Sequence, residues 1–284
     1  MTEKIKTFLL MFVLICLFVY VGDLTGGEQG AKTAFLIACG INFVSYFFSD
    51  KMVLSRYRAV EVKPNNEPKL YEIVARLAKN AGLPMPKVYI IPEEVPNAFA
   101  TGRNPSHAAV AATKGLLNIM SDEEIEGVLA HEMSHVRHYD ILIGTVAAVF
   151  AGAIAIMGNL FRQTQYYNYN QNGRHGGNRA GILAVLVMPV AASIIQMAIS
   201  RSREYKADEG AARLTGHPEW LMNALTKLEN YAKQIPMKRA SSSTAHLFIV
   251  NPLSAFGGGL SGLFSTHPST KDRIARLSKM KIYK

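Results

Sequence analysis

Cysteine is nearly missing: Cys16 and Cys39 are the two present in 284 residues, and both lie inside apolar runs. Two such thiols build neither a disulfide framework nor a Cys-based metal site. Any recognisable RNA- or DNA-binding motif is missing too, although the formal net charge is +10. Many of the basic residues flank apolar segments, so the excess points to a lipid bilayer as partner and away from nucleic acid. Charge is missing altogether from residues 7–22, 33–49, 141–161 and 180–200. A spanning helix takes ~20 mostly apolar residues, so the last two stretches qualify outright and the first two come close. Residues 7–22 follow Lys4 and Lys6 as a signal peptide would. No convincing A-x-A cleavage site follows, however, and the second apolar stretch comes close behind, which favours a retained anchor. Buried core helices are the alternative for the last two stretches, and their length without a charge disfavours it.

Lys4, Lys6, Lys51, Arg56 and Arg58 on one side, and Arg201, Arg203 and Lys206 after the fourth stretch, make these ends cytoplasmic by the positive-inside rule. Residues 23–32 then form a loop on the far side. Arg162, Arg174 and Arg179, in the polar loop 162–179, run against that orientation.

What is present centres on His131-Glu132-Met133-Ser134-His135. Ser121-Asp122-Glu123-Glu124 supplies a capping box, and Ile125, Leu129, Met133 and Val136 follow at helical spacing. Histidines at i and i+4 lie one turn apart on one helix face, where both imidazoles reach one Zn²⁺. Glu132 stands beside the metal as a base for water, the chemistry of metal-assisted peptide hydrolysis. A chance histidine pair on a solvated face would give the same five letters, so the rest of the chain decides.

A catalytic zinc takes three protein ligands and keeps one position open. His138 lies on nearly the same face but too far along a straight helix to converge on one ion, and Asp140 points away if that helix persists. Spans at 141–161 and 180–200 form a hairpin that returns Glu204 and Asp208 to the membrane face of His135. Glu204 is the better third ligand, and Asp208, one turn on, suits the remaining N–H of a ligating histidine. Ordinary salt bridges to neighbouring Arg or Lys are the alternative for both acids.

Elsewhere the pattern predicts helices over 67–81, 217–235 and 268–280. A strand is expected over 87–91, and a hairpin from 97–102 and 107–113 whose edge suits an extended peptide. Residues 236–244 read as a Ser-rich loop, 246–250 as a short strand and 256–264 as a Gly-rich connection or lid.

His131-Glu132-x-x-His135 with Glu204-x-x-x-Asp208, the hydrophobic hairpins at 7–49 and 141–200, residues 97–102, and Ser265-Thr266-His267-Pro268 with Arg273 together resemble the HtpX membrane metalloproteases, relatives of the type I CAAX prenyl endopeptidases. The resemblance covers nearly the whole chain. It implies a mainly α integral membrane protein with a small β-hairpin or sheet: about four transmembrane helices plus a gluzincin-like zinc-protease domain. The divisions expected are an N-terminal transmembrane hairpin (1–50), a first catalytic part with the zinc helix (51–140), a second transmembrane hairpin (141–200) and a second catalytic part (201–284). It further implies one Zn²⁺ on His131, His135 and Glu204, with Glu132 as base and Asp208 behind the ligands. Asn97, Ala98, Phe99 and Ala100 fall along the substrate cleft, and His267 and Arg273 steady the tetrahedral intermediate or orient site residues. The activity implied is that of a bacterial inner-membrane endopeptidase, stress-linked, multi-pass and facing the cytoplasm, acting on misfolded or damaged membrane proteins or unfolded proteins. A catalytically silent zinc-binding scaffold or sensor is the alternative, and it has no need of Glu132. A small transporter with an accidental motif is disfavoured by spans that carry no ionisable group.

Overall fold

The computed structural model describes residues 3–146, 201–234 and 268–280. Most of the second hairpin, the expected loop at 162–179, the segments at 236–264 and His267 lie outside the described residues.

Helix α1 (Glu3–Arg56) turns back on itself at Gly26 and Gly27. Gly27 has φ 58° and ψ −150°, a conformation that a side chain would oppose. The turn leaves two arms, Lys4–Asp23 and Gly26–Arg56, each long and apolar enough to cross a membrane. The expected loop at 23–32 is therefore a two-glycine turn with helix on either side, and an i,i+4 pair between Lys32 and Glu28 (2.6 Å) supports the second arm. The arms pack through an Asn42 side-chain amide donating to the Met11 carbonyl (3.1 Å) and through the stacked rings of Phe8 and Tyr46. Phe8, Phe12, Leu36 and Phe43 are each more than half exposed, which suits a lipid-facing surface.

Among the described residues four strands follow: β1 (Val60–Val62), β2 (Lys87–Ile91), β3 (Ala98–Gly102) and β4 (Ala108–Thr113). Their order is β1-β2-β4-β3, with β2 parallel to β4 and the other neighbours antiparallel. The expected hairpin is β3–β4, with Ala100 opposite Val110. β2 takes the other side of β4, so β3 is an edge among the described residues. Strand alternation gives the sheet two buried faces. Val88, Ala98, Ala100 and Val110 join the main core, whereas Ile91, Phe99, Ala109 and Ala111 pack on Val53 and Leu54 at the end of α1.

Helix α2 (Pro68–Ala81) stops at Gly82, as the sequence indicates, and α3 (Lys114–Ile119) leads to α4 (Asp122–Arg137). The capping box of α4 is formed: Ser121 N–H donates to Glu124 Oε2 (2.8 Å), and Glu124 N–H donates to Ser121 Oγ (3.3 Å). Its stripe of Ile125, Leu129, Met133 and Val136 is buried. Further along come α5 (Arg201–Thr215), α6 (Pro218–Gln234) and α7 (Thr270–Leu277). α4 is the central element, packed by α2, α5 and α6. A Cβ at Gly210 would collide with the Ser134 hydroxyl, so a bare α-carbon lets α5 lie close against α4.

Candidate metal centre

Close packing of α4 on α5 brings two i,i+4 pairs face to face: His131 and His135 from one helix, Glu204 and Asp208 from the other. His131, Glu204 and Asp208 are each buried. The Nε2 atoms of His131 and His135 stand 3.2 Å apart. One Glu204 oxygen lies 3.6 Å from His131 Nε2 and the other 3.5 Å from His135 Nε2. One ligand atom from each of the three falls within 4.8 Å of the others.

Two carboxylates fix the imidazoles from behind. His131 Nδ1 is 3.0 Å from Asp208 Oδ1, and His135 Nδ1 is 3.1 Å from Asp140 Oδ2. With both imidazoles neutral, as metal ligands must be, each Nδ1–H donates to its carboxylate and both Nε2 lone pairs aim into the same space. Two acceptors 3.2 Å apart are poorly placed for each other. Around a tetrahedral zinc at ~2.05 Å from each nitrogen they would stand about 3.3–3.4 Å apart, so the spacing fits such an ion. A set of two imidazoles and a carboxylate without sulfur also suits zinc.

The electrostatics agree. Burial disfavours a charged His131, but the carboxylates of Asp208 and Glu204 outweigh it and hold its pKa up at about 9. The same carboxylates favour a metal cation among the ligand atoms, which would displace that proton. Burial, helped by the nearby Glu204 carboxylate, pushes the Glu132 carboxyl above its ordinary range against the pull of both imidazoles. Glu132 Oε2 accepts from the Ala100 backbone N–H on β3 (2.9 Å). Burial would raise Asp208, yet the Arg273 guanidinium holds it below the usual carboxylate range, aided by the bonds from His131 and Arg273.

Arg273, from α7, is 1% exposed and grips Asp208 with Nη2 (2.6 Å) and Nε (2.9 Å). Its Nη2 is nearly equidistant from the two ring nitrogens of His131, at 3.4 and 3.5 Å, so it is directed at neither. Arg273 is thus placed behind Asp208, in reach of residues to be oriented.

Asp140 joins the site because the helix before it does not persist. α4 ends at Arg137, and Tyr139 takes a left-handed φ of 62°. That break starts a new helix at residue 140 and swings Asp140 back onto His135, where a continuous helix would have aimed it away. No glycine or asparagine marks the break, so the sequence offers little signal for it.

Phe99 lies apart from the metal centre. Its side chain packs on Val53 and Leu54, with its ring 5.6 Å from that of Tyr57, on the sheet face opposite α4. Alternation along β3 sends it to that face and leaves Ala98 and Ala100 on the α4 side. The Asn97 N–H donates to Thr113 Oγ1 (2.9 Å), tying the start of β3 to the end of β4.

A model of peptidase family M48 matches residues 64–281. The chain is 62% identical over 279 residues to a protease HtpX homolog of Campylobacter hominis, covering 98% of this chain and 99% of the relative. It is 54% identical over 280 residues to a protease HtpX homolog of Sulfurovum sp., covering 98% and 100%. Among solved structures it resembles Ste24p of S. mikatae, with a TM-score of 0.53 at 19% identity, over 97% of this chain. The chain spans 65% of that protein's length, so this likeness is one of fold. With a family model matching most of its length and relatives alike from end to end, the chain belongs to peptidase family M48.

Proposed function

We propose that this chain is a zinc endopeptidase of the bacterial inner membrane that cleaves misfolded or damaged membrane proteins under stress. The observation that carries the reading is the convergence of His131, His135 and Glu204 from two helices. Glu132 beside them favours catalysis over a silent scaffold or sensor, which has no use for a base. The HtpX names of the relatives from Campylobacter hominis and Sulfurovum support the cellular role. The apolar arms of α1 and the basic ends of the apolar stretches support a multi-pass topology of about four spans with the site facing the cytoplasm. Packing of α4 on α5 supports a gluzincin-like catalytic domain assembled from residues 51–140 and 201–284, with transmembrane hairpins at 1–50 and 141–200.

Zinc on these ligands would supply Lewis acidity and lower the pKa of a bound water. Glu132 takes on Oε1 a proton from the water that attacks the scissile carbonyl, while its Oε2 is fixed by the Ala100 N–H, and then gives that proton to the leaving amine. The edge of β3 at Ala98 receives the substrate as an added strand, next to the Ala100 N–H that Glu132 occupies. Arg273 is a positioning residue that fixes Asp208, and Asp208 in turn fixes His131. His267 remains an expectation, as an oxyanion partner.

Two tests follow. Casein cleavage by the detergent-purified protein should vanish with a chelator and return with Zn²⁺. Cleavage unaffected by complete metal removal would contradict the proposal. Asp140→Asn keeps an acceptor at His135 Nδ1 but loses its charge, so zinc affinity should fall about 10- to 100-fold. Unchanged affinity in a zinc-competition titration would deny Asp140 this role.

A further inference from the structure

Away from the metal centre, a cavity of about 470 Å³ opens where the start of α1, the turn after α2, the β3–β4 turn and the end of α4 converge. Lys4 and Arg137 line it with Leu83, Pro84, Asn104 and Tyr139, and none of its lining residues is acidic. The Lys4 ammonium lies 4.4 Å from the centroid of the Tyr139 ring. Neither Lys4 nor Arg137 has an acidic partner among the described residues, so two uncompensated cations face one space.

The location narrows the ligand. Lys4 opens the first apolar arm, and residue 140 begins the helix that enters the third apolar stretch. The Arg103 guanidinium, in the adjoining β3–β4 turn, sits 5.5 Å from the ring of Phe47 on the second arm. The cavity is therefore level with the ends of three apolar segments, at the height of lipid headgroups. Its wall is part apolar (Leu83, Pro84) and part hydrogen-bonding (Asn104, Tyr139). An arginine fork takes a phosphate through paired bonds, and a lysine adds a point charge. Basic pockets at the cytoplasmic ends of spans suit anionic headgroups, and the volume is within the range of small-ligand sites.

The geometry points to the phosphodiester headgroup of an anionic phospholipid, seated between Lys4 and Arg137. Bound there, it ties the first span to the end of α4, a few residues from His135. The inference rests on α1 lying in a bilayer and is independent of the zinc chemistry.

The test uses the full chain in nanodiscs of phosphatidylcholine, with or without phosphatidylglycerol. Retained lipid is counted by native mass spectrometry after transfer to mild detergent. Wild type should retain phosphatidylglycerol. Lys4→Gln/Arg137→Gln should bind it about thirtyfold more weakly, at roughly fivefold per cation. Lys51→Gln/Arg56→Gln makes the same charge change at exposed positions outside the cavity and should retain the lipid. Equal loss from both pairs would reduce the effect to general surface attraction, and no loss from either would leave the cavity without this ligand; both overturn the inference. Release by millimolar inorganic phosphate would assign the cavity to a free anion and overturn the lipid assignment, whereas indifference to phosphate supports it. Zinc content and melting in phosphatidylcholine alone should match wild type for both pairs, which separates this outcome from a failure of the metal centre.

Discussion

Glu132→Gln is expected to purify with its zinc in place and to cleave casein ~10²–10⁴-fold more slowly than wild type. The substitution is nearly isosteric, and its amide oxygen can still accept from the Ala100 N–H that holds Oε2 in the native protein. Neither His131 nor His135 depends on Glu132 for its orientation, because each Nδ1 is held by another carboxylate, Asp208 or Asp140. The loss should appear in kcat with KM little changed, as befits removal of a proton acceptor that substrate binding does not need. Normal turnover by the variant would mean that another group takes the proton. Loss of zinc would mean that Glu132 helps to build the site.

Arg273→Met should be the most damaging substitution for stability. Asp208 is 3% exposed, and its charge is held by two bonds from a guanidinium that is itself 1% exposed. Removing one partner of such a pair strands the other charge in the interior, at a cost of about 3–5 kcal/mol. Lysine is not an adequate substitute, since a single ammonium cannot reproduce the fork. The double variant Arg273→Met/Asp208→Asn removes both charges and should recover much of the stability. It should not recover zinc affinity, because His131 Nδ1 then faces a neutral amide; a deficit of about 10- to 100-fold is expected to persist. Melting and zinc titration of the three proteins separate a structural role from a positioning one. If the double variant regained both properties, Arg273 and Asp208 would be a structural pair with no part in orienting the ligand.

The local parts of this centre are legible in the sequence because local chemistry determines them. Ser121 and Glu124 announce the start of α4, the spacing of His131 and His135 puts both on one face, and Gly82 closes α2. Glu204 and Asp208 are legible one step further away, since the two uncharged stretches between 141 and 200, read as a membrane hairpin, would return the chain to the same side. The parts that depend on long-range packing or on one unusual dihedral are not. Asp140 reaches His135 through the left-handed Tyr139, a conformation that aromatic residues seldom adopt and that no neighbouring residue signals. The grip of Arg273 on Asp208 joins positions 65 residues apart, and no periodicity links them. The packing of Phe99 is also long-range: the pleat sends alternate side chains of β3 to opposite faces, and the end of α1 receives this one. The turn between the first two apolar arms is shorter than polarity suggests, because Glu28 and Lys32 favour helix right up to the glycines.

The central claim is that His131, His135 and Glu204 together hold a zinc ion. Metal analysis of the purified full-length protein, wild type beside Glu204→Ala, after dialysis against a weak chelator and readdition of Zn²⁺, tests it most directly. One zinc per wild-type chain and little in the variant are expected, with both proteins folded by circular dichroism. No zinc in the wild type, or equal zinc in the two proteins, would contradict it.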